Sequence, residues 1–163
     1  MLGVCLRYAT DRDTAEDILQ EGFIKVFGNI GNFRGEGSLE GWIRRIMVNT
    51  ALTWFKTKRK QGFTEDIDTM DERSLSDAGE PEGEENLSVL SPDEVMGLIQ
   101  QLPDGYRMVL NMYVFEGLSH RDIAENLEIS ENTSKSQLSK ARRYLRKLAE
   151  AVEKEKEFIP IQR

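Results

Sequence analysis

One cysteine and one histidine in 163 residues leave little material for redox, metal or imidazole chemistry. The lone Cys5 cannot close an internal disulfide, which fits a reducing cytoplasm. His120 falls at a helix start as a surface residue, and the carboxylates are scattered. No metal or triad spacing surrounds either group, so an enzyme has no support and neither metal nor cofactor is expected. Aromatics make up only 8% of the chain against 31% charged residues. No apolar run approaches membrane-spanning length and no signal peptide opens the chain. A cytoplasmic location without direct membrane insertion is the expectation.

What is present is charge, unevenly placed. The net charge of −7 seems to oppose nucleic-acid binding. Residues 1–63 nevertheless carry net +3, residues 64–94 net −11, and residues 95–163 net +1. The middle segment thus supplies the whole deficit, and the average says little about either end. From Thr64 to Asn86 the chain is acidic, rich in Gly, Ser and Pro, and poor in apolar residues. It cannot bury enough surface to offset the entropy of ordering and reads as a disordered linker. The expected organisation is all-α, with a first helical domain over 1–62, the linker over 63–90, a second domain over 91–150, and a tail over 151–163 that frays into coil.

In the first domain, Thr10 to Ile30 carries a helical stripe of Ala15, Ile18, Leu19, Phe23, Val26, Phe27 and Ile30, with Asp11 and Asp13 as cap candidates and Gly31 as a stop. Asp17, Gln20 and Glu21 form a polar, acidic face opposite that stripe. A glycine-rich loop, Phe33-Arg34-Gly35-Glu36-Gly37, displays one aromatic. Ser38 then caps a helix to about Lys60 whose buried side is Leu39, Trp42, Ile43, Ile46, Met47 and Phe55. Arg45, Asn49 and Lys56 run along another side of that helix, with Arg44 and Thr53 adjacent. Cations that track phosphates, an amide that reads a base edge and a ring that stacks suit single-stranded nucleic acid. A solvated helix face with Phe33 tucked into the core has the same pattern.

The second domain restarts at Ser91-Pro92-Asp93-Glu94, a serine cap with proline at the first helical position and glutamate three residues on. Val95, Leu98 and Ile99 face inward, and Pro103 ends that helix. Asp104 to Glu116 makes the next, with Val109, Leu110, Tyr113 and Val114 inward and Gly117 as the stop. Leu118 to Leu148 then reads as two helices around a tight turn, capped by Ser119 and Ser130, with Ile123, Ala124, Leu127 and Ile129 as apolar positions. That is the pattern of a helix-turn-helix whose second helix enters the DNA major groove. Between Lys135 and Lys147 lie Lys135, Lys140, Arg142, Arg143, Arg146 and Lys147 and no acid, a rod suited to phosphate contact. An ordinary helical hairpin with a solvated basic face would look similar.

Several of these segments, taken in order, resemble one family. Ala15-Glu16-Asp17-Ile18-Leu19-Gln20-Glu21-Gly22-Phe23 is similar to the polymerase-binding segment of bacterial sigma factors, in the extracytoplasmic-function (ECF) group of the sigma-70 family. Phe33-Arg34-Gly35 through Trp42-Ile43-Arg44-Arg45-Ile46 to Asn49 resembles that family's promoter-melting segment. Leu102-Pro103, Glu116-Gly117-Leu118-Ser119, Asp122-Ile123-Ala124 and Thr133 to Arg142 resemble its −35-reading domain.

The resemblance implies a promoter-specificity subunit without chemistry of its own, whose partners are core RNA polymerase, promoter DNA and an anti-sigma factor. Asp17, Gln20 and Glu21 would face the clamp coiled coil of the polymerase β′ subunit. Phe33 and Asn49 would hold a base flipped from the −10 non-template strand, with Arg45 and Lys56 on the same DNA-facing side. Lys135, Ser136, Gln137 and Lys140 would read the −35 element, while Arg142 and Arg143 add phosphate contacts. The acidic linker would run through polymerase channels built for nucleic acid. The family usually has another helix before the position of Met1, so part of the first core is expected to be exposed. Glu128 stands where glycine is common, which implies a less tight turn. Ser134 and Gln137 replace a common apolar residue and a common arginine. The alternative is a free-standing helix-turn-helix regulator that binds duplex operators without polymerase, usually as a dimer, although no dimer interface is evident in the sequence.

Overall fold

The computed structural model describes residues 1–62 and 90–158, the side chains of Glu155, Glu157 and Phe158 excepted. The expected disordered linker lies almost wholly outside the described residues. Among those described there are seven α-helices and no strand. The N-terminal part holds α1 (Leu2–Tyr8), α2 (Arg12–Asn29), a 3-10 turn (Ile30–Asn32) and α3 (Leu39–Lys60). The C-terminal part holds α4 (Pro92–Gln100), α5 (Asp104–Val114), α6 (His120–Leu127) and α7 (Glu131–Phe158). Two small helical domains are the result.

Local chemistry sets most helix ends. The Thr14 N–H donates to Asp11 Oδ1 at 2.7 Å, and the Gly41 N–H donates to Ser38 Oγ at 3.0 Å, so both long N-terminal helices start on side-chain caps. Ser91 with Glu94 and Ser119 with Asp122 each form a reciprocal capping box. At α7, the Thr133 N–H donates to Ser130 Oγ at 2.9 Å. Glycine at 117 takes φ +66, a left-handed stop after α5 that other residues adopt only with strain.

The core of the first domain joins Cys5 and Tyr8 of α1, Ala15 and Ile18 of α2, and Met47, Ala51 and Phe55 of α3. A Cβ on Gly22 would meet the end of the Met47 side chain, so glycine there leaves room for Met47 of α3 to lie against α2. In the second domain, Met108, Val109, Leu110 and Met112 of α5 form the centre, covered by Ile123 and Leu127 of α6 and Leu138 and Ala141 of α7. The buried cluster continues from one domain into the other.

The structure corrects several expectations. Helix α1 was not marked by the periodic pattern beginning at Thr10. Phe27 (73% exposed), Ile30 (46%) and Leu39 (44%) were expected inside and are outside. Tyr113 and Val114 are likewise exposed, because α5 buries its whole run from Gly105 to Met112 and ends at Val114. The turn at Glu128 is not relaxed by the missing glycine: Glu128 itself takes the left-handed conformation, φ 58 and ψ 46. Residues 151–158, expected to fray, continue α7. Val152 packs with Leu148, Leu90 and Leu98 in a second small cluster, and Lys156 Nζ pairs with Glu94 at 2.7 Å.

Candidate functional site

Three surfaces collect the residues singled out by the sequence. The first is the outer face of α2. Asp17, Gln20 and Glu21 are all exposed on it, and Glu21 pairs with Lys25 at 2.6 Å. The same face continues at three- and four-residue steps to Ile24 (71% exposed) and Phe27. The face therefore couples acids at one end to two uncovered apolar side chains at the other. Ile24 was missed because nothing in the sequence separates it from the apolar stripe.

The second is a cavity of about 390 Å³ between the C-terminal turns of α2, the 3-10 turn and α3. Lys25, Asn29 and Asn32 line one side; Trp42, Ile46, Asn49, Thr50 and Thr53 of α3 line the other. Lys25 Nζ lies 3.3 Å from Thr50 Oγ1, and Thr50 in turn donates to the Ile46 carbonyl at 2.8 Å. Asn49 is exposed, and its amide has no hydrogen-bond partner among the described residues, which leaves it free for a ligand. Phe33 is half-buried and packs on Trp42 with ring centroids 5.5 Å apart, so Trp42 forms the aromatic wall and Phe33 backs it. One flat apolar wall facing amides and an ammonium is a fitting receptacle for a nucleobase. Lys25, Asn29 and Asn32 escaped the sequence reading because they reach the cavity from the neighbouring helix.

On the same side of α3, Arg45 is exposed one turn before Asn49, and Lys56 follows two turns after it. Arg44 points elsewhere: its Nε and Nη2 donate to the Glu116 carboxylate at 3.1 Å and its Nη2 to the Phe115 carbonyl at 3.0 Å. Lys58 lies over the Trp54 ring at 3.9 Å.

The third surface is the start of α7. Lys135 and Ser136 are exposed and Lys140 is half-exposed. Gln137, expected to read bases, is 5% exposed, and its Oε1 is buried without a partner among the described residues. The reason is periodic: Ser134, Gln137, Leu138, Ala141 and Leu145 recur at three- and four-residue steps and turn inward together. Two polar members concealed that stripe. Ser134 Oγ meets His120 Nδ1 at 2.9 Å, and the His120 ring stacks on Tyr113 at 4.8 Å, tying α7 to α5 and α6. Arg142 is exposed, whereas Arg143 is half-buried with its Nε enclosed and unpartnered among the described residues.

One helical domain thus carries an aromatic-walled polar cavity and the other a helix-turn-helix, an arrangement suited to binding nucleic acid. Residues 1–61 match the family model for sigma-70 region 2, and residues 93–145 match that for sigma-70 region 4. The chain is 32% identical over 152 residues to the RNA polymerase sigma-H factor of Pseudomonas aeruginosa, covering 87% of this chain and 76% of that one. It is 34% identical over 146 residues to the ECF RNA polymerase sigma-E factor of Haemophilus influenzae, covering 86% and 76%. The sigma factor RpoE of Bartonella quintana, solved in complex with the anti-sigma factor NepR, shares the fold with a TM-score of 0.54 at 20% identity, over 91% of this chain and 89% of that one. The chain belongs to the sigma-70 family of RNA polymerase sigma factors, in its ECF group. It is an alternative sigma factor, which acts with core RNA polymerase on promoter DNA in transcription initiation.

Proposed function

We propose that residues about 1–62 bind polymerase and open the −10 element, and that residues about 91–150 read the −35 element. Asp17, Gln20 and Glu21 dock on the β′ clamp, with the acidic end of the α2 face setting its charge complementarity. The cavity beside Asn49 receives one base of the −10 non-template strand. Trp42 walls it with Phe33 packed behind that ring, and Arg45 and Lys56 follow the backbone. Lys135, Ser136 and Lys140 meet base edges and phosphates of the −35 element, with Arg142 and Arg143 adding phosphate contacts as α7 leaves the groove. Gln137 supports this surface from beneath. The free amide of Asn49 at the mouth of an aromatic-walled cavity carries the reading. Removing a base from the stack costs a few kcal/mol, and a preformed receptacle returns it.

Such a protein is a specificity subunit and not a catalyst, and it works in the cytoplasm, where its polymerase is. No helix among the described residues is long and apolar enough to cross a membrane. The Bartonella complex supports an anti-sigma partner of similar kind.

The test is promoter binding by the full chain with and without core polymerase. Tight, specific binding only with core is expected. Tight sequence-specific duplex binding by the chain alone would favour a free-standing regulator.

A further inference from the structure

The single histidine of the chain is held from two sides inside the helix-turn-helix domain. His120 opens α6, and its Nδ1 meets Ser134 Oγ of α7 at 2.9 Å. Ser134 is 0% exposed, and its hydroxyl has no other partner among the described residues. A buried hydroxyl with an unpaired proton is costly. Donation to a bare Nδ1 satisfies that proton, whereas a protonated Nδ1 would take the oxygen and leave the proton stranded. The ring is therefore the Nε2–H tautomer, as its hydrogen-bond network requires. Its face is fixed as well, by stacking on Tyr113 of α5 with centroids 4.8 Å apart and planes 22° from parallel. Nε2 is neither enclosed nor partnered among the described residues, so its N–H is open to solvent.

The surroundings show what this donor can meet. Ser134 directly precedes Lys135 and Ser136 on the exposed start of α7. The Arg142 guanidinium lies over the same Tyr113 ring, 5.9 Å from its centre. The imidazole thus shares both of its supports with residues assigned to the −35 element. Nearby acids are already engaged. Asp122 accepts from the Ser119 N–H at 3.1 Å and from its hydroxyl at 2.6 Å, and Glu125 pairs with Arg121 at 3.3 Å. Asp122 also closes the start of α6, so the free donor is the side-chain N–H and not the helix end.

We propose that His120 Nε2–H donates to one phosphate oxygen of the duplex beside the −35 element, with Ser134 and Tyr113 as the positioning residues that aim it. The proposal rests on the reading of α7 as the −35 helix. In a helix-turn-helix the first helix crosses the DNA backbone while the second enters the groove. A backbone contact made from α6 fixes how α7 sits in the groove and carries no sequence information itself. A ring clamped at edge and face also loses less freedom on binding than a lysine does.

The experiment measures affinity of holoenzyme, assembled from the full chain and core polymerase, for promoter duplexes in which one −35 phosphate at a time is an uncharged methylphosphonate. Wild type is compared with His120→Asn, His120→Gln and Ser134→Val. Asparagine places its amide near Nδ1 and has nothing at Nε2, whereas glutamine can extend an N–H to the Nε2 position. His120→Asn should lose about tenfold in affinity on every −35 sequence alike, equivalent to about 1.4 kcal/mol. Glutamine should recover most of that loss. Ser134→Val keeps the interior apolar but releases the ring, and should lose about threefold. One methylphosphonate should weaken wild type and His120→Gln but leave His120→Asn unchanged, because the bond it removes is already absent. If His120→Asn remains sensitive to every methylphosphonate that weakens wild type, the proposal is overturned and His120 is a packing residue. A changed −35 preference would also overturn it, by making His120 a base contact. If no −35 methylphosphonate weakens wild type, the reading of α7 falls first and the proposal with it, a result distinct from the other two.

Discussion

Replacing Asn49 with alanine separates base capture from help in opening the duplex. Asn49 is exposed in the middle of α3 and its side-chain amide has no partner among the described residues. Removing it therefore breaks no internal bond, and alanine is favoured over asparagine in a helix interior by up to roughly 0.7 kcal/mol. Thermal stability should be unchanged or slightly higher. The binding consequence is different. A base-edge contact by an amide contributes about 1–3 kcal/mol, so affinity for promoter should fall by about 5- to 150-fold. If Asn49 acts only while the strands separate, a template already melted around −10 should erase that defect. If it holds the extruded base, the defect must persist on the melted template, since the bound base is what it stabilises. The assay is holoenzyme affinity for matched duplex and bubble promoters carrying each of the four bases at the captured position. Wild type should discriminate among bases, and Asn49→Ala should hardly do so. Full rescue of the variant by the bubble would refute the placement of the base in this cavity.

Other outcomes follow from the same structure. Gln137→Leu should leave −35 preference untouched and hold or raise the melting temperature, because it removes a buried, unpartnered oxygen; Lys135→Ala should weaken promoter binding and flatten its salt dependence, as read in filter-binding titrations. Arg107 is 1% exposed and donates to the Tyr8, Gln100 and Leu102 carbonyls and to Asp104, so Arg107→Met should destabilise by about 3–5 kcal/mol in urea titration, with Arg107→Lys recovering only part. The Lys156 ammonium and the Ser91 N–H hold Glu94 down at about 2, from an ordinary value of 4.5. A depressed carboxylate stabilises the fold above its unfolded value, so this contribution should be lost between pH 4.5 and 2 in acid melting curves, and Glu94→Gln should blunt the loss.

What the sequence revealed depended on how local the signal was. Ser38, Ser91 and Ser119 announce their helices because a cap and its N–H lie three residues apart. The helix-turn-helix was legible for the same reason, from Ser119, Ala124 and Ser130. Helix α1 escaped notice because seven residues offer too few turns for periodicity, and its last carbonyls are satisfied by side chains about a hundred positions away. Phe27 was placed inside because an apolar side chain gives no sign of whether its cover belongs to the same chain. Gln137 misleads because a polar residue ordinarily marks a polar face, whereas α7 buries both Ser134 and Gln137 with its inward apolar row. The cavity was half legible: Asn49 follows from the spacing of the cations on α3, but Lys25 and Asn29 join it only through the packing of α2 on α3.

The borrowed caps of α1 have a consequence for the order of events on the ribosome. Arg7 and Asn111 are separated by 104 positions. At about 5–20 residues per second, roughly 5–20 s of synthesis pass before the partner of the Arg7 carbonyl exists. During that interval α1 can pack on α2 and α3 with its last carbonyls hydrated. The emerging N-terminal domain would then present Arg44 and Lys56 before the Glu116 and Glu128 carboxylates that pair with them have been made. Nascent chains paused between residues 62 and 100 should therefore be the form of this protein most open to premature contact with single-stranded nucleic acid.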